Sequence, residues 1–298
     1  MGQGLIGMVT RSSTMSLLEA TQTSALDPAL ERVLARVRLR ARRRAAWLRK
    51  LWSEEGEPGG RFAVTHAEVD THLEDRDAPE AEAAWFASSE VVVEWNRQLD
   101  TIEAAIAADE SSRWALLCQV FCLDPLEVDL LQACLALSLD PALARVYAYL
   151  QDHAGRGYVT ESLVARLFGH GRCCHCSAQS PVRTWALVAE KEVAAGEPPM
   201  LECDRLGRDW LGGKDDLDER LVGMAGVHSP LPPLEDWPVK ETAEWLARAL
   251  EGGQSRVRVR VSGPPGSGRR TLAACVSAAL DLPLLAVGAD QVEEGDWR

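Results

Sequence analysis

The stretch that decides the predicted fold reads Val257-Arg258-Val259-Arg260-Val261-Ser262, then Gly263-Pro264-Pro265-Gly266-Ser267-Gly268-Arg269-Arg270-Thr271, then Leu272 to Leu280. Alternation of valine with arginine predicts a strand with one apolar face. The three glycines permit backbone conformations that direct several N–H groups towards one anion. The last part predicts a helix whose positive end points at the same place. A strand, a glycine-rich turn and a helix in this order are typical of a phosphate-binding loop, or P-loop.

The loop keeps the glycine spacing of a P-loop but changes two chemically important positions. The full pattern requires Gly, four residues, Gly, Lys and then Ser or Thr. Gly263 and Gly268 have this spacing, whereas Arg269 replaces the lysine and Arg270 replaces the hydroxyl residue that binds magnesium. Thr271 comes one residue late, which on a helix is a rotation of about 100°. We therefore expect residues 263–271 to bind ATP weakly, to hold Mg²⁺ poorly and to support little or no hydrolysis; the alternative is a turn without a ligand.

The residues after this helix predict a second strand at 281–287. A P-loop ATPase also needs a later strand that ends in acidic residues, which hold magnesium and position water. Such a strand does not follow before residue 298. We therefore expect the chain to be the front part of a longer protein, or the product of a broken reading frame, and we assign any ATP hydrolysis to the intact parent.

Composition predicts a globular protein of about two domains, because 46% of the 298 residues are apolar and 26% are charged. The sequence contains no apolar run of about 18 residues and no signal peptide. The net charge of −13 argues against general binding to nucleic acid or to anionic membranes. Eight cysteines without an export signal favour a reduced, cytoplasmic location over a disulfide framework.

The N-terminal part predicts two long helices. Residues 1–25 lack periodicity and are expected to be disordered, and 26–111 form a helical region with an acidic linker at 54–77. Asp27 and Pro28 begin the first helix, whose apolar stripe is Leu30, Leu34, Val37, Ala41, Ala45, Leu48 and Trp52. The second helix is predicted from about Pro79 to Asp109, and its apolar seam is Trp85, Val92, Trp95, Leu99, Ile102 and Ile106. We expect it to pack on the first helix or on the next domain.

The first helix also carries a dense set of basic residues, namely Arg32, Arg36, Arg38, Arg40, Arg42, Arg43, Arg44, Arg49 and Lys50. One interpretation is a surface that docks an acidic partner or nucleic acid. The other is a basic face exposed to water, whose positive charge offsets the negative charge of the rest of the chain. Charge runs on helices are usually solvated, so we favour the second interpretation.

Residues 112–222 predict three helices followed by a β-hairpin, the arrangement of a winged helix. Asp124 and Pro125 start one helix with Glu127 able to complete a capping box, Asp140 and Pro141 start the next, and Thr160 caps the third. Two apolar runs, 184–189 and 200–203, flank the turn-forming residues 196–199 and predict the hairpin. A proline-rich linker at 223–238 leads to 239–298, the start of the P-loop domain. The predicted fold class is therefore mainly α with a winged-helix domain, followed by the truncated start of an α/β P-loop domain.

Three runs in this region resemble a known family: Phe121 to Glu127, Ala136 to Pro141 and Tyr147 to His153. They resemble the N-terminal winged-helix region of a bacterial AAA-type ATPase family that is encoded with phage-tail-like contractile injection systems. Leu206 to Gly212 and the degenerate loop 263–271 also fit, and the resemblance covers about residues 80–298. It implies a cytoplasmic ATPase, homo-oligomeric when intact, that uses nucleotide to remodel or handle a protein partner such as an injection-system component. It also implies a second, intact ATPase module further along the parent chain.

A winged helix also raises the hypothesis of a DNA-binding regulator. Its candidate recognition helix, 160–168, contains Arg166 as its one basic residue, and Glu161 lies in its first turn. A helix that reads a groove needs several Arg or Lys side chains near phosphates and base edges. Residues 110–230 hold 17 acidic and 11 basic side chains, a net charge of −6. We therefore favour a protein-interaction module, with a DNA-binding regulator and a non-catalytic structural adaptor as the alternatives.

A cysteine-rich run at 170–176 is the remaining candidate site. Cys173 and Cys176 have the spacing of metal ligands, and His170, His175 or Cys203 could complete a set of four. Structural zinc usually needs two separated ligand pairs, and one pair is well formed here. We therefore favour a cysteine-rich surface loop without metal over a zinc site.

Overall fold

The computed structural model describes residues 26–54, 73–221, 223–251 and 257–288. The chain divides into two compact units, Met1–Asp215 and Asp216–Arg298. The predicted disorder of residues 1–25 and most of the predicted linker at 54–77 lie outside the described residues. Within the described residues, no helix combines the length and the apolar character that crossing a lipid bilayer requires.

The first unit is mainly helical, and its elements are α1 Pro28–Glu54, α2 Pro79–Ser88, α3 Glu90–Ala108, α4 Arg113–Val120, α5 Pro125–Leu139, α6 Leu143–Leu150, α7 Glu161–Phe168, α8 Pro181–Thr184, β1 Val188–Lys191, β2 Met200–Cys203 and α9 Arg205–Leu211. The second unit contains a short 3₁₀ turn, Glu219–Leu221, and the elements β3 Ala225–Val227, α10 Val239–Glu251, α11 Arg269–Ala279 and β4 Leu285–Val287.

Helix α1 is the central element of the first unit. Asp27 caps its start, because the Asp27 carboxylate accepts a hydrogen bond from the Ala29 N–H at 2.8 Å. Most of the predicted apolar stripe is buried, and Ala45 and Trp52 are half-buried against the same core. The helix contacts α2, α3, α4, α5, α6 and α7. Burial on several sides is the reason that Val33 and Leu51, outside the predicted stripe, are also buried.

The second predicted helix is interrupted. Ser89 has an extended backbone, with φ −83° and ψ 119°, so that α2 ends at Ser88 and α3 begins at Glu90. The Asn96 side chain donates a hydrogen bond to the Phe86 carbonyl oxygen at 3.1 Å, which satisfies one of the carbonyls left free at the end of α2. The apolar seam itself is confirmed, since Val92 and Leu99 are buried, and α3 packs on α1 as expected.

The winged-helix arrangement is present. Asp124 and Glu127 form the predicted capping box at the start of α5, and Thr160 caps α7 by accepting a hydrogen bond from the Leu163 N–H at 3.1 Å. Strands β1 and β2 pair antiparallel, from Val188 opposite Cys203 to Lys191 opposite Met200. Val159, just before α7, bridges to Leu201 of β2 and ties the hairpin to the helices.

Two boundaries in this domain differ from the prediction. Helix α6 begins at Leu143 rather than at Pro141, because the Asp140 carboxylate accepts from the Ala142 N–H at 3.1 Å and holds a separate turn. The first predicted hairpin strand, 184–189, is mostly not a strand. Its first residue ends α8, Ala186 has a φ of +50°, and β1 starts only at Val188. In residues 184–187 the helix end and the turn at Ala186 therefore prevail over the strand that their apolar side chains predict.

The second unit departs most from the prediction. Residues 257–262 form no strand among the described residues, and Val259 and Val261 are exposed. Of the predicted second strand at 281–287, only Leu285–Val287 forms a strand, β4, and it pairs antiparallel with β3. A parallel P-loop sheet would need both faces covered, and the exposed valines leave the alternating run without a buried face. Within the described part of this unit, the predicted parallel α/β sheet is therefore not formed.

Candidate functional site

Helix α7 holds the position at which a winged-helix protein would present a recognition helix. Thr160 fixes its start, and Gly169 in the left-handed conformation ends it. Five of its eight residues are buried: Leu163, Val164, Ala165, Leu167 and Phe168. Only Ser162 is exposed. A helix covered in this way presents almost no side chains to a DNA groove.

A network of ion pairs covers the remaining polar side of α7. The Arg166 guanidinium donates to the Asp77 carboxylate at 2.8 Å and to the Glu82 carboxylate at 2.6 Å. Arg44 of α1 donates to the same two carboxylates, at 2.6 Å and 2.9 Å, and the Trp47 indole N–H donates to Asp77 at 2.7 Å. Arg166, the one basic residue of the candidate recognition helix, is thus engaged inside the protein.

The two carboxylates of this network have pKa values that shift in opposite directions. Burial disfavours the charged form of Asp77, but hydrogen bonds and positive charge from Arg44 and Arg166 outweigh it and lower the Asp77 pKa. Burial dominates at Glu82 and raises its pKa despite the same two arginines. Glu82 is also the more buried of the two, with 6% of its side chain exposed against 32% for Asp77.

A second group of contacts holds the end of α7 against α1. The guanidinium groups of Arg36 and Arg40 lie over the Phe168 ring, 4.9 Å and 5.3 Å from its centroid. Both arginines donate to the Glu103 carboxylate of α3, at 2.8 Å and 2.6 Å. Arg36 also donates to Asp129 of α5 at 2.5 Å. These contacts join α1, α3, α5 and α7 into one packed group.

The favoured interpretation of the basic helix α1 is therefore partly wrong. Its arginines do form ion pairs with acidic groups of the same chain, as expected, but Arg36, Arg40 and Arg44 are not exposed to solvent. They lie between α1 and its neighbours and make charge-assisted hydrogen bonds there. Arg42 and Arg49 remain exposed. No sequence pattern pointed to Asp77 and Glu82 as partners, because they are 33 and 38 residues from Arg44 along the chain.

The wing of the domain is mainly acidic. Glu190 and Glu192 are exposed near β1, and the one lysine of the hairpin, Lys191, pairs with Glu202 across the strands. An apolar patch lies elsewhere on the surface of this unit. Leu116 and Val120 of α4 are 45% and 63% exposed, and Trp185 is 55% exposed with its ring 5.8 Å from that of Phe121. The wing and the exposed part of α4 therefore offer acidic and apolar surface, which does not suit a phosphate backbone.

The glycine-rich loop has part of the expected conformation. Gly266 and Gly268 have positive φ angles of 81° and 78°, and α11 begins directly after Gly268, which is its N-cap. The loop residues 263–267, Arg269 and Arg270 are exposed, and Thr271 is half-buried. The turn and the helix are thus present at residues 263–271, whereas the strand before them is not.

Trp237 lies against this loop. A Cβ atom added to Gly268 would come within 2.5 Å of the Trp237 ring, so any larger residue at this position would displace the indole. A Cβ atom on Gly263 would come within 2.6 Å of the Ser267 hydroxyl. Rotation of the Ser267 hydroxyl would relieve the contact at Gly263, whereas the rigid indole makes the close approach at Gly268 the stronger constraint.

The cysteine-rich run contributes to a set of potential metal ligands that differs from the combinations considered in the sequence. The His170 imidazole lies 2.8 Å from the Asp129 carboxylate, and Cys176 is half-buried. Among the described residues, the group whose ligand atoms could hold a metal ion is Glu161, Cys173 and His175. His170, Cys173 and Cys176, which the sequence offered as possible ligands while a loop without metal was favoured, do not come together in one such group. Ligand spacing in the sequence does not identify Glu161 as a partner of Cys173, because the two lie 12 residues apart; the Thr160 cap signal places Glu161 only at the start of α7.

Comparison with protein families agrees with this architecture. The model of a family described as winged helix domain, variant, matches residues 20–225. Comparison with curated proteins gives no significant match, and neither does comparison with solved structures. The matched range includes α1 as well as the hairpin, as expected if α1 is an integral part of the domain. Because the match covers well over half of the sequence, this chain belongs to the family of variant winged helix domains.

Proposed function

We propose that the winged-helix domain of this chain is a protein-interaction module and not a reader of DNA. The observation that carries the proposal is the covered recognition helix: α7 is buried on its apolar side and bound through Arg166 to Asp77 and Glu82 on its polar side. Specific DNA recognition needs side chains that reach base edges and several cations that neutralise phosphates. Ser162 is the one exposed side chain of α7, which leaves this helix without such groups.

The first experiment measures binding to duplex DNA of mixed sequence as the salt concentration is lowered. The wild-type protein is expected to give no salt-dependent binding, because a DNA-binding protein gains affinity steeply as counterions are diluted. The control is a variant with Glu190, Glu192 and Glu202 changed to lysine, which makes the wing basic and shows that the assay detects weak electrostatic binding. Salt-sensitive binding by the wild type, lost on changing Arg42 and Arg49 to glutamine, would overturn the proposal in favour of the DNA-binding alternative.

The second experiment asks where a protein partner contacts the domain. The exposed apolar patch of Leu116, Val120 and Trp185 is the surface that we expect a partner to cover, since exposed aromatic and apolar side chains are typical of interaction sites. A photo-cross-linking residue is placed at position 185 and, as a matched control, at position 97 on the polar surface of α3. A discrete protein adduct from position 185 alone supports the proposal. Equal labelling from both positions contradicts it.

We further propose that residues 263–271 bind the phosphates of a nucleotide, with ATP as the expected ligand. The proposal rests on the two positive-φ glycines that lead directly into α11, a combination that directs N–H groups and a helix dipole at one point. Arg269 supplies positive charge in place of the usual lysine. Thr271 is half-buried, which agrees with weak retention of Mg²⁺ at this loop.

The test of nucleotide binding uses Trp237 as its reporter, because this ring abuts Gly268. Titration with ATP is expected to change tryptophan fluorescence in the wild type and not in a Trp237→Phe variant. Arg269→Ala is expected to weaken binding at least about tenfold, from loss of a charge-assisted contact of about 1.5–3 kcal/mol, whereas Arg258→Ala, outside the loop, changes it little. If equilibrium dialysis finds no ATP bound to the wild type, the proposal is contradicted, and the alternative of a turn without a ligand is favoured.

The intact parent is proposed to be an AAA-type ATPase that handles a protein partner, with injection-system components as the candidates. The support is the resemblance of residues 121–153 and of the degenerate loop. On this proposal the parent is cytoplasmic and homo-oligomeric, and its ATP hydrolysis occurs in a second module. The coding sequence beyond residue 298, checked by the intact mass of the native protein, is expected to contain an acidic strand end and a second loop with Lys and Thr. A coding sequence without such a strand end and second loop would contradict this proposal and favour the non-catalytic adaptor.

A further inference from the structure

Three side chains with metal-binding chemistry meet at the start of α7. Glu161 is the first residue of the helix, and Cys173 and His175 come from the loop that follows it. One ligand atom of each lies within 4.8 Å of those of the other two. Thiolate, imidazole and carboxylate are the donors that Zn²⁺ takes in proteins.

The spacing of two of these donors matches a zinc ion. The Cys173 Sγ and His175 Nε2 atoms are 3.8 Å apart. With Zn–S near 2.3 Å and Zn–N near 2.0–2.1 Å, a tetrahedral site puts sulfur and nitrogen about 3.6 Å apart. A shift of a few tenths of an ångström in exposed side chains would therefore bring both atoms into coordination.

The Glu161 carboxylate orients the histidine for this role. The His175 Nδ1 atom lies 2.8 Å from Glu161 Oε2, so that a proton on Nδ1 leaves the Nε2 lone pair free on the side facing Cys173. A carboxylate behind the metal-bound imidazole is a common arrangement in zinc sites. The carboxylate is itself fixed, since Glu161 Oε1 accepts from the Cys176 N–H at 3.2 Å and from Arg183 at 3.0 Å.

We propose that Cys173 and His175, oriented by Glu161, form an exposed Zn²⁺ site with open coordination positions at the start of α7. Both ligands face solvent, and 82% of the His175 side chain is exposed, so the ion enters and leaves freely. Binding deprotonates the Cys173 thiol, and the released proton goes to solvent. The site shares no residue with the apolar patch or with the glycine-rich loop, and it does not depend on either proposed function.

The test measures metal binding by the full chain with Zn²⁺ and with Co²⁺ as a spectroscopic substitute. The wild type is expected to bind one Zn²⁺ per chain, by elemental analysis after equilibrium dialysis, and to show thiolate-to-Co²⁺ charge-transfer absorption. Cys173→Ser should abolish that absorption, and His175→Ala should abolish stoichiometric binding. Glu161→Gln should weaken binding about 10- to 100-fold, the effect expected for a group that orients a ligand.

Matched controls separate this site from the other exposed thiols and imidazoles. Cys122→Ser and His153→Ala change an exposed cysteine and an exposed histidine away from the site, and both should leave Zn²⁺ binding unchanged. Well under one Zn²⁺ per wild-type chain would overturn the proposal. So would thiolate absorption that survives Cys173→Ser or disappears in Cys122→Ser.

Discussion

At the scale of single residues, the most informative group is the ion-pair network of Arg44, Arg166, Asp77 and Glu82. Its members lie on α1, on α7 and at the start of α2, so that the network fixes three segments at once. Two arginines share two carboxylates, and each carboxylate is needed by both arginines. A pair of buried charges contributes little net stability when complete, but removal of one member leaves its partners without compensation.

Removal of Arg44 is therefore expected to be severely destabilising. Arg44→Ala should lower the free energy of unfolding by about 3–5 kcal/mol, because it leaves Glu82 and Asp77 with Arg166 alone. Arg49→Ala, on an exposed position of the same helix, should change it by less than about 0.5 kcal/mol. Urea denaturation measures both values, and similar values for the two variants would contradict the structural role of the network.

The opposite pKa shifts of Asp77 and Glu82 predict opposite pH trends. The lowered pKa of Asp77 means that its ionised form contributes stability above the ordinary value of 3.8 and that this contribution is lost as the pH falls below it. The raised pKa of Glu82 means that its contribution is present below the ordinary value of 4.5 and is lost as the pH rises. The stability that Asp77→Asn removes should thus grow with rising pH, whereas the stability that Glu82→Gln removes should shrink.

Thermal unfolding of the two variants and of the wild type between pH 3 and pH 7 measures these trends. Each variant is compared with the wild type at the same pH, so that other titrating groups cancel. Parallel curves for the two variants would show that the two carboxylates share one environment.

At the scale of elements, the position of α7 depends on its first turn. The Thr160 hydroxyl accepts from the Leu163 N–H and donates to the Gln151 side chain at 2.7 Å. Gln151 in turn donates to the Arg156 and Tyr158 carbonyl oxygens, at 2.8 Å and 2.9 Å. A single hydroxyl therefore links the cap of α7 to the turn that precedes it.

Substitutions at Thr160 test this link. Thr160→Val keeps the shape of the side chain but removes the hydroxyl, and it should cost about 1–2 kcal/mol through loss of the cap and of the bond to Gln151. Thr160→Ser retains the hydroxyl and should cost clearly less. The measurement is chemical denaturation, and an equal cost for both variants would contradict a specific role of the hydroxyl.

At the scale of the whole molecule, the two units differ in how far their backbone N–H and C=O groups are hydrogen-bonded and buried. Helix α1 is surrounded by other helices of the first unit. In the second unit, residues 257–262 pair with no strand among the described residues. Slow exchange of backbone amides requires both a hydrogen bond and burial, so the units should differ in protection.

Hydrogen–deuterium exchange measured by mass spectrometry should show this difference. Peptides from the first half of α1, around Val33 and Val37, are expected to be among the slowest to exchange in the first unit, because both side chains are fully buried. Peptides that cover 257–262 should exchange rapidly. Slow exchange there would instead indicate a strand with a hydrogen-bonded partner and would support the original P-loop prediction.

Local signals in the sequence determined where two helices of the winged-helix domain, α5 and α7, begin. Asp124, Pro125 and Glu127 specify a helix start through contacts within one turn, and Thr160 does the same for α7. Apolar periodicity also identified the buried stripe of α1 and the seam of α3, because burial follows helix geometry. These features need no knowledge of distant residues.

Tertiary structure alone decided what the charged residues do. The arginines of α1 look alike in the sequence, but only contacts with residues 33 to 96 positions away distinguish the internal Arg36 and Arg44 from the exposed Arg49. The run at 257–262 alternates like a strand, but a strand forms only when another segment supplies hydrogen-bond partners and a covered face. Pairing and burial are properties of two segments together, so no single stretch of sequence specifies them.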